Sequence, residues 1–112
     1  MLKALARRTA APVLACAALL MAFSAQAQPQ TATVTIGNFV FGPETLTVPA
    51  GTTVTWVNGD DIPHTVVAAD KTSFRSRVLD TDDKFVFTFA KPGTYAYFCS
   101  IHPHMTGKVI VK

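Results

Sequence analysis

From Thr31 to its end the chain is a succession of short β-type runs separated by turn signals, a pattern that leaves few folds open. Val34 and Ile36 alternate with threonines, as on a strand with one buried face. Further runs rich in β-branched and aromatic residues lie between turns, at residues 45–48, 52–57, 65–68, 85–89, 94–99 and 107–112. With no helical period and no internal repeat, the sequence predicts an all-β antiparallel sandwich of about eight strands.

Residues 69–84 are the least regular part of this region and carry mixed charges. They predict a solvated surface loop with Phe74 and Leu79 packed inward. Trp56, the only tryptophan, is expected in the core under the sheet. Tyr95 follows a Pro-Gly turn, and is either the tyrosine of a tyrosine corner or an ordinary packed residue.

The first 27 residues have the organisation of a secretory signal peptide. A basic segment precedes an apolar core over residues 10–23 and a small-residue cleavage site at 25–27. The apolar core is too short for a transmembrane span, which needs roughly 20 apolar residues. We therefore expect a signal peptide over 1–27, one domain over 28–112, and export of that domain by the signal peptide.

Removal of the signal changes the charge of the protein. The chain has 10 Lys+Arg and 7 Asp+Glu, and three of the basic residues, Lys3, Arg7 and Arg8, leave with the signal. The mature protein then has 7 basic and 7 acidic residues. The excess of basic residues in the unprocessed chain therefore does not indicate a nucleic-acid partner. No membrane contact is expected after processing.

Processing also leaves one cysteine and one methionine, Cys99 and Met105. A lone cysteine in an oxidising compartment has no partner for a disulfide. The two sulfur residues are six positions apart with His102 between them, in a C-x-x-H-x-x-M motif on a short loop between two predicted strands. One cysteine and one methionine that remain after processing, with a histidine between them, indicate a metal site.

The chemistry of the motif favours copper. A fourth candidate ligand, His64, opens a β-type run after the polar, turn-prone loop 58–63. Thiolate and thioether sulfur suit copper, and two imidazoles with one thiolate and a weak axial thioether are the ligand pattern of blue-copper electron-transfer sites. If His64, Cys99, His102 and Met105 converge, no coordination position stays open for a substrate.

His104 is an alternative to His102, since it also lies between Cys99 and Met105. The C-x-x-H spacing allows Cys99 and His102 to face one point across a tight turn, which Pro103 stiffens. We favour His102 as the ligand and expect His104 to face solvent.

Several segments resemble the cupredoxins of the plastocyanin and azurin superfamily. They are residues 41–43, 48–51, 54–58, 61–66, 92–99 and 102–109, and the match to which they belong extends over nearly the whole mature chain. The short C-x-x-H-x-x-M loop is similar to that of the amicyanins. The resemblance implies a Greek-key β-sandwich with one type 1 copper ion per chain, held by His64, Cys99, His102 and Met105.

It also implies a periplasmic electron shuttle, not an enzyme. The edge of His102 would reach the surface through an apolar patch and serve as the electron port; candidates for the patch are Pro43, Pro63, Ile101 and Pro103. The expected partners are redox proteins, with a donor such as a dehydrogenase and an acceptor such as a c-type cytochrome. A monomer is expected.

Three residues depart from the amicyanin pattern. His104 stands where amicyanins have an aromatic residue, so the patch is more polar. The usual partner of the amicyanins, methylamine dehydrogenase, is therefore not assigned to this chain. Thr65 replaces the Asn that often follows the first histidine ligand, so a side-chain brace between the two ligand loops is not carried over. Ile101 replaces a proline, and its N–H could point at the Cys99 sulfur and raise the reduction potential.

The main rival function is copper handling by a periplasmic carrier or resistance protein. Such proteins commonly use several methionines, whereas the mature chain has Met105 alone. An enzyme would need a second metal or an open coordination position, for which His104 is too little. A structural zinc site accepts Cys and His but leaves Met105 unexplained.

Overall fold

The computed structural model describes residues 30–112, so the predicted signal peptide lies outside the described residues. Over this part of the chain, eight strands form two four-stranded sheets. The strands are β1 (Thr31–Gly37), β2 (Val40–Gly42), β3 (Thr45–Val48), β4 (Thr52–Asn58), β5 (Val67–Ala68), β6 (Lys84–Phe89), β7 (Gly93–Phe98) and β8 (Thr106–Val111). None of the described residues belongs to a helix long and apolar enough to cross a membrane.

One sheet has the strand order β2-β1-β4-β6 and the other β3-β8-β7-β5. The predicted all-β sandwich of about eight strands is confirmed. The expectation of purely antiparallel pairing is wrong for two pairs, because β1 lies parallel to β4 and β3 lies parallel to β8. Between β1 and β4 the chain visits the second sheet as β3, and such a crossover is what parallel pairing requires. Sequence alternation reports which face is buried and not the direction of the neighbouring strand.

The core lies between the two sheets and is built on the predicted alternation. Val34 and Ile36 of β1 are fully buried, as is Trp56 of β4. The Trp56 ring packs near four other aromatic rings, with centroid separations of 5.4–6.2 Å, which are those of Phe74, Phe85, Phe89 and Tyr97. Because Tyr97 lies on β7, its contact with Trp56 joins the two sheets across the core.

The irregular stretch between β5 and β6 is attached to the sandwich by buried residues. Phe74 and Leu79 are buried, as predicted. The Ser76 N–H donates to the Val66 carbonyl, and the Val66 N–H donates to the Ser76 hydroxyl, each at 2.8 Å. This pairing carries Leu79 to the end of the sandwich where His64 lies.

Strands β7 and β8 form an antiparallel hairpin whose connecting loop contains the C-x-x-H-x-x-M motif. At the opposite end of β7, the Tyr95 hydroxyl donates to the Lys91 carbonyl at 2.8 Å. This bond, from a tyrosine to the backbone a few residues upstream, is the one that makes a tyrosine corner.

Candidate metal centre

The loop from Cys99 to Met105 is closed by backbone hydrogen bonds. Cys99 directly follows β7 and Met105 directly precedes β8, and the Cys99 N–H donates to the Met105 carbonyl at 3.0 Å. Within the loop, the His102 N–H donates to the Cys99 carbonyl at 3.2 Å, and the Met105 N–H donates to the His102 carbonyl at 2.9 Å. The hairpin therefore holds the motif residues in a compact turn.

His64 is held by a different set of contacts. It exchanges two backbone hydrogen bonds with Leu79, at 3.0 and 2.8 Å, and its side chain is fully buried. The buried Asn58 amide donates to the carbonyls of Ile62 and Leu79, each at 2.9 Å. The loop before His64 is thus tied to the irregular stretch between β5 and β6.

These two elements bring one sulfur and two nitrogen atoms together. His64 Nδ1 lies 3.8 Å from Cys99 Sγ, His102 Nδ1 lies 3.7 Å from the same sulfur, and the two nitrogens are 3.3 Å apart. The point equidistant from the corners of a triangle with these three sides is about 2.1 Å from each atom. Zinc bonds to imidazole nitrogen and thiolate sulfur are roughly 2.0–2.3 Å long, so a metal ion of similar size fits between the three atoms.

The environment of Cys99 favours its thiolate form. Burial of the side chain opposes ionisation, but the Thr65 N–H donates to Sγ at 3.3 Å, and His64 and the N–H groups of Ile101 and His102 also favour the charged sulfur. Together they lower the pKa of Cys99 to about 6. Because the thiolate is the form that binds metals, Cys99 is in the form that can ligate a metal ion at neutral pH.

Asp60 contacts the centre although the sequence did not predict it there. Its Oδ2 lies 3.0 Å from His64 Nε2, and this hydrogen bond holds the pKa of the Asp60 carboxyl below its usual value. A carboxylate that accepts the Nε2 proton leaves the Nδ1 lone pair directed at the centre. The spacing of four residues within a turn-prone loop is the only sequence signal for this pair.

Thr65 provides the brace between the ligand loops that the resemblance did not carry over. Its Oγ1 accepts the Ser100 N–H at 2.8 Å and lies 2.7 Å from the Ser100 hydroxyl. Thr65 is buried. Its hydroxyl links the two ligand loops, which is the contact that the resemblance assigns to the side-chain amide of an Asn at this position.

The other predicted site residues differ in their exposure to solvent. Met105 is 5% exposed and belongs to the core, whereas His104 is exposed. Ile101 and Pro103 are also exposed and line a surface depression that contains His102. Two further patch candidates, Pro43 and Pro63, are exposed but do not line this depression.

Phe39 was not predicted to belong to the site, yet it lines the same depression. Its ring lies edge-on to His102 and to His64, with centroid separations of 4.9 and 5.7 Å. In the sequence it interrupts the first β-type run, and nothing local marks it as a neighbour of the histidines.

Comparison with known proteins identifies the family. The profile of the cupredoxin-like domain matches residues 10–111. The chain belongs to the cupredoxin family.

Several relatives of this cupredoxin are amicyanins. It is 42% identical over 71 residues to an amicyanin of Paracoccus versutus, a match that covers 60% of this chain and 54% of that protein. The chain therefore spans about half the length of that relative. It is 34% identical over 116 residues to amicyanin-alpha of Methylorubrum extorquens, which covers 88% of this chain and 98% of that protein.

Among solved structures, the cupredoxin is similar to a purple cupredoxin from Nitrosopumilus maritimus. The TM-score is 0.70 at 36% identity, over 72% of this chain and 99% of the other. The buried thiolate and the two imidazoles make up a donor set that suits copper. Copper is the cofactor that this site fits.

Proposed function

We propose that this cupredoxin is a periplasmic type 1 copper protein that carries single electrons between redox proteins. In this proposal His64, Cys99 and His102 ligate the metal equatorially, and Met105 is the weak axial ligand. Copper bound there supplies a one-electron couple between Cu(II) and Cu(I). The proposal includes a signal peptide over residues 1–27 that directs the domain over 28–112 to the periplasm.

The convergence of His64, Cys99 and His102 in a closed, hydrogen-bonded site is the observation that carries the proposal. His64 and Cys99 are fully buried, and the loops that bear them are joined through Thr65 and Ser100. Ligands held in this way change position little when the charge of the metal changes, so little reorganisation accompanies electron transfer. With Met105 as the fourth ligand in this proposal, no position of the kind that a catalytic metal needs is left open, and we therefore propose a carrier and not an enzyme.

His102 is the proposed electron port. It is half-buried, in contrast to His64, and it lies in the surface depression lined by Phe39, Ile101 and Pro103. A partner that covers this apolar rim comes close to the imidazole without reaching the metal. We propose a dehydrogenase as the class of electron donor and a c-type cytochrome as the class of acceptor, with the protein acting as a monomer.

Addition of Cu(II) to the purified protein tests the function and the ligand assignment. We expect intense blue thiolate-to-copper absorption and narrow copper hyperfine splitting in the EPR spectrum. Cys99→Ser should abolish the absorption, and His102→Ala should abolish or strongly alter it. His104→Ala is the matched control and should leave both spectra unchanged. The opposite result for the two histidine variants would refute the assignment of His102.

Copper retention separates the electron carrier from the rival copper-delivery function. An electron carrier should keep its copper in the presence of a mild chelator, because loss of the metal ends its activity. Rapid and complete transfer of copper to the chelator would favour a copper carrier instead.

A further inference from the structure

The turn between β1 and β2 has an unfavourable backbone conformation. Gly37 and Val40 form the last cross-strand pair of the hairpin, so Asn38 and Phe39 are the two residues of the turn. Their φ angles are 49° and 60°, both in the left-handed region. Two-residue hairpin turns of this kind favour Asn followed by Gly, and a bulky residue at the second position is an outlier.

Burial in the core does not account for Phe39. Its side chain is 44% exposed, and it is absent from the buried cluster between the sheets. An exposed phenylalanine gains less from removal of apolar surface from water than a buried one does. Another interaction must therefore favour an aromatic residue where the turn favours glycine.

The interaction that the structure offers is with the two histidines of the metal centre. The plane of the Phe39 ring is at 89° to that of His102 and at 86° to that of His64. The two imidazoles are themselves 5.0 Å apart between centroids. The phenyl ring therefore lies against both imidazoles, and half-buried His102 is the more exposed of the two.

The backbone of the turn reaches the same site. The Phe39 N–H donates a long hydrogen bond of 3.4 Å to Asp60 Oδ2, the oxygen that also lies 3.0 Å from His64 Nε2. The turn thus contacts His102 through a ring, and His64 through both a ring and a carboxylate.

We propose that the Asn38–Phe39 turn is an outer clamp that positions the imidazoles of His64 and His102, and that Phe39 occupies its strained position for this purpose. Phe39 is a positioning residue because it donates no ligand. The expected consequence of the clamp is slower release of the metal, and this part of the inference rests on the proposed copper site. Its structural part concerns the metal-free protein as well.

Phe39→Gly separates the clamp from ordinary packing, since it removes the ring and relieves the backbone at the same time. We expect the metal-free variant to be at least as stable as the parent in urea, because the turn becomes Asn-Gly. We expect copper to pass to a chelator roughly tenfold faster, since changes to groups that support metal ligands typically weaken metal binding by about 10–100-fold. Asn38→Gly is the matched control, as it changes the same turn but keeps the ring, and it should release copper at the parental rate.

Proton NMR of the metal-free parent provides a readout that does not depend on copper. Through-space contacts from the Phe39 ring to both imidazoles are expected, and in Phe39→Gly the histidine ring signals should broaden or shift. Failure of the parent to bind copper would overturn the proposed function, and the clamp would then be judged on these metal-free measurements.

Three results would overturn the clamp. Copper release from Phe39→Gly at the parental rate would mean that the ring does not restrain the ligands. A loss of metal-free stability in this variant would assign the ring to ordinary packing. Absence of ring contacts to the imidazoles in the parent would remove the geometric basis.

Discussion

Replacement of Thr65 by valine tests how the two ligand loops are joined. The substitution keeps the size of the buried side chain but removes the Oγ1 that accepts the Ser100 N–H at 2.8 Å and lies 2.7 Å from the Ser100 hydroxyl. Each hydrogen bond contributes a net of about 0.5–1.5 kcal/mol, so the pair gives an upper range of roughly 1–3 kcal/mol. Ser100 is exposed, and water can satisfy its freed groups. We therefore expect the unfolding free energy of the metal-free protein to fall by about 1–2 kcal/mol.

Urea denaturation measures this change as a lower midpoint with an unchanged slope. In a domain of this size, 1 kcal/mol corresponds to a decrease in Tm of roughly 4–8 °C. Thr65→Val should also release copper faster, because the loop of His64 is no longer braced against the loop of Cys99. Thr65→Ser is the matched control: it loses one methyl group, and about 0.8 kcal/mol of stability, but it keeps the brace and should retain copper like the parent.

A double-mutant cycle with Ser100→Ala isolates the contact between the two side chains. Residues that share a hydrogen bond couple by about 0.5 kcal/mol or more, whereas independent sites add to within roughly 0.3–0.5 kcal/mol. Additive effects on stability, together with equal copper retention in the valine and serine variants of Thr65, would refute the brace.

Three other outcomes follow from the geometry of the loop and the core. Ile101→Pro removes an N–H that favours the Cys99 thiolate, so thiolate donation to Cu(II) strengthens and the reduction potential should fall. Ile101→Ala is the control because it keeps the N–H. An unchanged or higher potential of Ile101→Pro by voltammetry would contradict this role of the Ile101 N–H. Gly107→Ala places a Cβ 2.5 Å from the Tyr97 hydroxyl oxygen and should lower the unfolding free energy by about 1–3 kcal/mol through overpacking, which a denaturation midpoint equal to the parent's would disprove. Because the pKa of Cys99 is about 6 in the folded protein against 9.0 for an unperturbed thiol, the unfolded chain binds more protons between these values, so the stability of the metal-free protein should rise with pH from 6 to 9. Denaturation curves at several pH values check this, and Cys99→Ser should flatten the rise.

Strand pattern and residue chemistry could be predicted from the sequence because both are local properties. Alternation placed Val34 and Ile36 on a buried face, and the inward packing of Phe74 and Leu79 followed from their apolar character in a charged stretch. The spacing of Cys99 and His102 likewise reflects a single tight turn, in which the two side chains are neighbours whatever surrounds them.

Contacts between distant segments could not be predicted in this way. Asp60 lies in a loop whose composition indicates a turn, and Phe39 lies in another. Their proximity to His64 depends on how β1 and β4 pair, and that pairing is parallel, contrary to expectation. Apolar periodicity carries no information on strand direction, so it cannot bring these loops to one end of the sandwich.

The sequence by itself determined the residue types available to a metal, the short loop that holds three of them, and the all-β class of the fold. The tertiary structure alone decided that His64 meets the Cys99 sulfur across 35 positions, that Asp60 and Phe39 lie against its ring, and that N–H groups near the sulfur lower the Cys99 pKa. The physical reason is that residue type and turn geometry depend on near neighbours in the chain, whereas ligand orientation and electrostatics depend on hydrogen bonds between loops that only the packing of two sheets brings together.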